Sequence, residues 1–289
     1  MNSTEEIKRY WQKVLDRVFD QEEEGWLKRK MEGMEARGHK LQRMAFRIYP
    51  YHRKAYDHVV DVAYDLHLTM LVKSGRHVFL EEGFYTGRGQ WTKGKWVHHE
   101  VVTEIPASGD SSLPLTFEMG EREPVDDPRF DYNRREAVRY ADRWWDSYNP
   151  AYKKFEVDCT NYVSQCLRAG GAPMRGAGDR TRGWWYGNGT WSYSWTVAHA
   201  LRWYLSGSRR GLKAVEVSSA DQLAPGDVIC YDFQGNGRYD HNTFVVKKDA
   251  QGMPLVNAHT SNSRHRYWAY EDSTAYTPDI QYKFFRING

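Results

Sequence analysis

Apolar and polar positions change rhythm several times along this chain. Ile7, Trp11, Val14, Leu15 and Val18 recur at helical spacing behind Ser3-Thr4-Glu5-Glu6, which has the order of a capping box. A second charged helical stretch passes through Trp26, Leu27, Met31 and Met34, and Gly38 breaks it. From Met44 to Ile105 the period drops to two, as in Val59-Val60-Asp61-Val62-Ala63-Tyr64 and Trp96-Val97-His98-His99-Glu100-Val101, with Gly75, Gly83, Gly87, Gly89 and Gly94 between the runs. That pattern predicts an antiparallel meander. Residues 106–128 hold Pro106, Gly109, Pro114, Pro124 and Pro128 among acidic residues and read as a linker. The second half starts with an apolar face of Ala137, Tyr140, Ala141, Trp144 and Trp145, a helix over 134–147 that Asn149-Pro150 ends.

The stretch 155–167, Phe-Glu-Val-Asp-Cys-Thr-Asn-Tyr-Val-Ser-Gln-Cys-Leu, carries the chemistry. Cys159, Val163, Cys166 and Leu167 share one helical face, and Gly170-Gly171 is a stop, so the spacing predicts a helix over 159–169 capped near Asp158. Cys159 then lies in the first turn, where the helix end favours thiolate. A cysteine nucleophile needs a base. Gly235-Asn236-Gly237-Arg238-Tyr239-Asp240-His241 leads into an apolar run, which puts His241 at the mouth of a strand. Asn257 and His259 are two apart on the next strand and face the same side, so either side chain is a candidate to orient the His241 ring. Residues 176–194, rich in Gly, Arg, Trp and Tyr, read as a long surface loop, followed by a helix over 195–206. Strands are expected at 228–231, 243–247, 255–259 and 282–287. Helices first and strands afterwards indicate an α+β domain rather than βαβ winding. The expected organisation is an N-terminal accessory domain over 1–105 (helical to 42, strands 44–105), a linker over 106–130 and a second domain over 131–289.

Composition narrows the picture modestly. The chain has 289 residues and 40% apolar content, enough for packed cores. A formal net charge of +3 is too small to indicate nucleic acid. The basic excess lies after residue 130 and hints at an anionic partner. Three cysteines with no paired spacing make no disulfide framework and fit a reducing compartment, with Cys166 and Cys230 read as buried thiols. The first residues lack the basic start and apolar core of a signal peptide, and no run is long enough to span a membrane, so the expected location is cytoplasmic or sporulation-associated, or the cell wall if a signal was removed. His58, His67, His77, His98 and His99 suit polar strand faces better than a metal site, since neighbouring His98 and His99 point to opposite faces. Asp232, Gln234, Asn236 and Asp240 have a spacing near that of a calcium loop but no terminal Glu, so a glycine-rich hairpin is expected. No metal or cofactor is expected. Trp184, Trp185, Trp191, Tyr193 and Trp195, with Arg175, Arg180 and Arg182 nearby, are either a platform for a glycan or peptide or a core cover.

Asp158-Cys159-Thr160-Asn161-Tyr162-Val163-Ser164-Gln165 resembles the nucleophile motif of the putative amidase domain family of Gram-positive bacteria. Tyr132-Asn133-Arg134, Tyr140-Ala141 and Asn149-Pro150-Ala151-Tyr152 resemble the approach to that cysteine. Leu223-Ala224-Pro225-Gly226-Asp227-Val228-Ile229 is similar to a segment shared with CHAP and NlpC-type cell-wall hydrolases, and Asp240-His241 and Ala258-His259-Thr260 complete the pattern. The resemblance covers about residues 130–289. It implies a papain-like fold, a nucleophile helix packed on an antiparallel sheet, with Cys159 as nucleophile, His241 as general base and His259 as third residue, Asn257 being the alternative. It implies an oxyanion hole using the Cys159 backbone N–H, with Tyr140 or Asn149 as second donor, since Lys153 stands where papain has a glutamine. Trp184, Trp185, Trp191, Asp158 and Asn161 are the expected substrate contacts. The implied activity is amide hydrolysis on a peptide or peptidoglycan fragment. A non-catalytic papain-like binding module, and an acyl transferase or deamidase using the same triad, are the alternatives.

Overall fold

The computed structural model describes residues 3–19, 25–93, 95–102 and 130–288. They form a mixed α and β protein whose strands pair antiparallel, in two compact units. The expected linker lies outside the described residues except at Phe130.

One unit comprises Met1–Ile105 and Ala269–Tyr276. Helices α1 (Ser3–Phe19) and α2 (Trp26–Ala36) precede the strands β1 (His39–Tyr56), β2 (Val59–Ser74), β3 (His77–Thr92) and β4 (Lys95–Val102), which pair as a meander in that order. The first strand starts at His39, several residues before the expected position, because Gly38 (φ 68°) turns the chain directly from helix to strand. Tight turns at Asp57 (φ 41°) and Gly75 (φ 55°) keep the hairpins short. Alternation on β2 buries Tyr64, Leu66, Leu68, Met70 and Val72, and α1 buries Ile7, Trp11, Val14 and Leu15. The Trp11 indole donates to the Tyr64 hydroxyl at 2.8 Å. Two of the histidines of this sheet have ring or polar partners of their own: His67 stacks on Phe84 at 4.6 Å beside Glu82, and His99 lies parallel to Tyr64. Among the described residues no group of three or more His, Cys, Asp or Glu could hold a metal ion.

Residues 269–276 were expected in the second domain, yet they belong to this unit. The physical reason is Lys30, 4% exposed, which pairs with Glu81 and, at 2.9 Å, with Asp272. Lys30→Ala would leave two carboxylates facing each other out of water, so it should cost about 3–5 kcal/mol of stability. Urea unfolding of the full chain measures this, and a loss under about 1 kcal/mol would show that the carboxylates are solvated after the change.

The other unit comprises Pro106–Trp268 and Thr277–Gly289. Its helices are α3 (Arg134–Trp144), α4 (Cys159–Ala169), α5 (Tyr193–Thr196) and α6 (Ala198–Gly207). A small hairpin of β5 (Tyr186–Gly187) and β6 (Thr190–Trp191) precedes α5. The sheet contains β7 (Lys213–Val217), β8 (Val228–Asp232), β9 (His241–Lys248), β10 (Pro254–Ala258), β11 (Ser263–Tyr267) and β12 (Gln281–Asn288), ordered β11-β10-β9-β8-β12-β7. The helix expected over 195–206 is broken at Val197, which is extended (φ −113°, ψ 123°). β7 and β11 went unread in the sequence because five-residue strands with Lys, Glu and Arg in alternation show little apolar signal.

Val163, Cys166 and Leu167 of α4 pack with Val228 and Cys230 of β8, Phe244 and Val246 of β9, and Phe285 and Ile287 of β12 in one buried core. Asp227 ties the motif before β8 to the rest of this core. Its fully buried carboxylate accepts from Arg134 Nη1 (2.7 Å), Ala224 N–H (2.8 Å) and Ile287 N–H (3.0 Å). Gly226 (φ 98°) makes that turn in a left-handed conformation. No helix among the described residues is long and apolar enough to cross a membrane.

Candidate active site

Helix α4 begins at Cys159, as the spacing predicts, with Asp158 as its N-cap residue. Asp158 makes no side-chain cap bond. Its Oδ1 instead accepts from Phe155 N–H (3.0 Å) and Asn161 Nδ2 (2.9 Å), which folds the approach loop onto the first helical turn. Asp158 Oδ2 lies 2.7 Å from His259 Nδ1. On the other side of that ring, Nε2 lies 2.6 Å from the Trp144 carbonyl, and Tyr162 stacks on it with ring centroids 4.1 Å apart. A carbonyl accepts only, so His259 Nε2 donates to Trp144, while Nδ1 faces the Asp158 carboxylate. Thr260 follows with φ 85°, uncommon for a branched residue, and its Oγ1 accepts the Asp158 N–H at 3.1 Å. His259 and Thr260 thus clamp the peptide that precedes Cys159.

This geometry corrects the expected triad. Both His259 nitrogens are committed to Asp158 and Trp144, so the ring does not orient His241. Asn257 fares no better, since its Nδ2 donates to Asp142 (3.2 Å) and its Oδ1 accepts from His265 N–H (2.9 Å). Strand alternation explains why. Asn242, Phe244 and Asn257 face the helices, and Asn242 Nδ2 donates to Thr160 Oγ1 at 3.0 Å. His241 points to the opposite face, with ring centroids 5.6 Å from Tyr231 and 6.2 Å from Phe233.

The Cys159 sulfur meets β9 at the backbone. It accepts from the Asn242 N–H and sits 3.7 Å from Thr160 Oγ1. Strand N–H groups point along the sheet rather than to either face, so the sulfur stands at the level of the strand, one peptide from His241. Cys159 is 1% exposed, and burial pushes its thiol above the ordinary range. The Asn242 N–H, the Thr160 hydroxyl and the Thr160 N–H oppose that shift, and the Asp158 carboxylate adds to it. Burial therefore outweighs the helix end that the sequence reading credited with favouring thiolate. His241 is displaced in the complementary sense: burial, with the Arg266 charge behind it, pushes the ring down to about 3. Burial thus favours the neutral thiol at Cys159 and the neutral imidazole at His241.

The other expected contacts divide clearly. Tyr140 donates to Gln165 Oε1 (2.6 Å) and accepts from Asn149 Nδ2 (2.9 Å). Its one proton is spent about 9 Å further along α4 than Cys159, which removes Tyr140 as an oxyanion donor here, and Asn149 Nδ2 is turned to that same hydroxyl. The first-turn N–H groups of α4 remain as donors around the sulfur. Trp184 is fully buried, with its indole on Ser164 Oγ (3.0 Å), and Trp185 is 4% exposed, with its indole on the Asp179 and Arg182 carbonyls. Both are core of the tryptophan loop rather than substrate contacts. Asp158 and Asn161 are each 1% exposed and serve the loop and Trp195, whose indole donates to Asn161 Oδ1 at 2.9 Å. Trp191 alone of the three expected tryptophans keeps partial exposure. Asp232 accepts the N–H groups of Asn236 (3.2 Å) and Gly237 (2.7 Å), the arrangement of a glycine-rich hairpin. Thr160 and Asn242 are additions that sequence reasoning passed over, because their types suit any helix turn or strand start.

Removing His259 tests the clamp. His259→Ala would strand the buried Asp158 carboxylate and should lower stability by about 3–5 kcal/mol. Guanidinium unfolding of the full chain reads this directly, and an unchanged midpoint would show that the Phe155 and Asn161 donors suffice.

The profile of the family described as "Putative amidase domain" matches residues 131–285, over half of the chain. The uncharacterized protein YhbB of Bacillus subtilis (strain 168) is 62% identical over 194 residues, which is 66% of this chain and 62% of YhbB. The uncharacterized protein YjcM of the same organism is 31% identical over 140 residues, 45% of this chain and 31% of YjcM. The chain thus spans less than two thirds of the length of either relative. No solved structure matches it.

Proposed function

We propose, because this chain belongs to the putative amidase domain family and carries Cys159 at the start of α4 beside the His241 strand, that it is a cysteine-dependent amide hydrolase. The observation that carries the reading is the Cys159 sulfur on the Asn242 N–H, next to His241 in the chain. In the reaction, the His241 ring turns from its Tyr231 face toward the sulfur, and the neutral imidazole takes the thiol proton as sulfur bonds to the amide carbonyl carbon. The C–N bond then breaks, the imidazolium returns the proton to the leaving amine, and water hydrolyses the thioester. The first-turn N–H groups of α4 face the developing oxyanion. Resting neutrality means that the proton moves during attack rather than before it.

The papain-like relationship, and a peptide or peptidoglycan-stem substrate, belong to the same proposal. The papain-like relationship is supported by the α4-on-sheet packing and by the motif around Asp227. Incubation of the full chain with peptides and muropeptides, scoring released amino groups against Cys159→Ala, tests the reading. Equal release by both proteins would overturn it.

A further inference from the structure

We propose that Lys153 and Arg180, flanked by Lys154, form a binding site for a carboxylate on the substrate, so that the amides taken by this protein belong to acidic peptides. The inference deepens the amide-hydrolase reading and rests on it only for the reaction. Lys153 Nζ lies 5.0 Å from the Trp191 ring centroid and 5.6 Å from that of Phe155. Arg180 Cζ lies 5.4 Å from the same Trp191 ring and 4.9 Å from Tyr193. Lys154 Nζ lies 4.0 Å from Tyr148, whose ring is 4.9 Å from His259. All three cations are exposed, and among the described residues none is within ion-pair distance of a carboxylate. Some other surface cations of this unit do have such neighbours, as Arg139 lies on Glu136, Arg182 on Asp179 and Lys283 on Glu216, whereas Arg143 lies over Trp144 with no ion pair among the described residues.

Two like charges on one indole with no counter-charge is an unfavourable arrangement that an anion would relieve. The rings hold the cations without neutralising them. Arg180 is aimed by its Nε, which donates to the Trp191 carbonyl at 3.1 Å, leaving its terminal nitrogens for a planar carboxylate. Lys153 is tied to the nucleophile: its carbonyl accepts from Asn161 Nδ2 (3.0 Å) and its N–H donates to the Tyr186 hydroxyl (2.9 Å). The cations therefore stand on the loop that leads into Cys159. Glu156 on the same loop and Asp179 beside Arg180 in sequence are nearby acids that would oppose an anion; Glu156 lies on none of the three cations, and Asp179 lies on Arg182.

The test is binding by the full chain carrying Cys159→Ala, followed by tryptophan fluorescence. The probes are acetylated tripeptide amides with glutamate at the first, second or third position, each paired with its glutamine counterpart. At low salt at least one glutamate peptide should bind about tenfold more tightly than its counterpart. High salt, and the double variant Lys153→Gln/Arg180→Gln, should each remove most of that advantage. Equal binding of every pair, no binding of any peptide, or an advantage untouched by the double variant would each overturn the proposal. Because no turnover is needed, a glutamate preference in a protein whose wild type releases no amine would sink the hydrolase reading and leave the carboxylate site standing.

Discussion

Cys159→Ala should abolish amide hydrolysis, with a loss of about 10³-fold or more, while changing folding stability by only about 1 kcal/mol. The large effect follows from the proposed role of sulfur as the atom that bonds to the carbonyl carbon. The small one follows from what alanine removes, a single buried atom and its contacts with the Asn242 N–H and Thr160. The resting thiol gives a second readout. Burial holds it above the ordinary cysteine range, so labelling of Cys159 by iodoacetamide at neutral pH should be slower than for an exposed cysteine. The rate should climb only on the alkaline side. Intact-mass analysis measures both quantities. Fast labelling well below pH 8.5 would show a thiolate already formed, and full turnover by the alanine variant would remove Cys159 from the mechanism.

His241→Ala should lower kcat/KM by about 10²–10⁴-fold, the usual worth of a positioned general base. The shape of the wild-type pH profile is the sharper expectation. With the ring pushed down to about 3, His241 stays neutral through the mildly acidic range. Activity should show no acid limb near the ordinary histidine value of 6.5 and should fall only where the fold fails. The same displacement bears on stability. Between about 3 and 6.5 the unfolded chain binds the proton that folded His241 does not. The neutral ring therefore contributes stability that is complete above 6.5 and lost as pH falls toward 3. Asp240 acts in the opposite sense. Burial pushes its carboxyl up to about 6 from 3.8, so its share of stability falls as pH rises through that window. His241→Asn should leave the Asp240 slope alone and make acid unfolding less steep. Denaturation midpoints from pH 3 to 7 decide this; an unaltered slope, or an acid limb at 6.5 that the variant abolishes, would mean that His241 titrates normally.

Much of the local architecture around Cys159 was legible. The 159–169 helix ends where its glycines say it should, and β8, β9, β10 and β12 lie within a few residues of their apolar runs. The long hairpins of the N-terminal unit show in their period-two pattern and in glycine punctuation. Harder to read were elements whose support comes from elsewhere in the chain. Residues 269–276 have no apolar rhythm that assigns them to the first unit; Lys30, hundreds of residues earlier, supplies the reason. Trp184 and Trp191 are the same residue type in one loop, yet one is fully buried on Ser164 and the other stays half-exposed among cations.

Local sequence by itself determined that Cys159 opens a helix and that His241 opens a strand, because helical period, glycine stops and turn residues act over a few neighbours. Tertiary structure alone decided their charge states and their partners. Burial, which no window of sequence reports, holds the thiol and the imidazole neutral against the pull of the helix end. Strand alternation then gave His259 and Asn257 to the helix-facing side and His241 to the other, so that His259 closed on Asp158 rather than on His241. That choice depends on how β9 and β10 pair and where α4 crosses them. Both are long-range facts, set by the core that Phe244, Val163 and Phe285 build together.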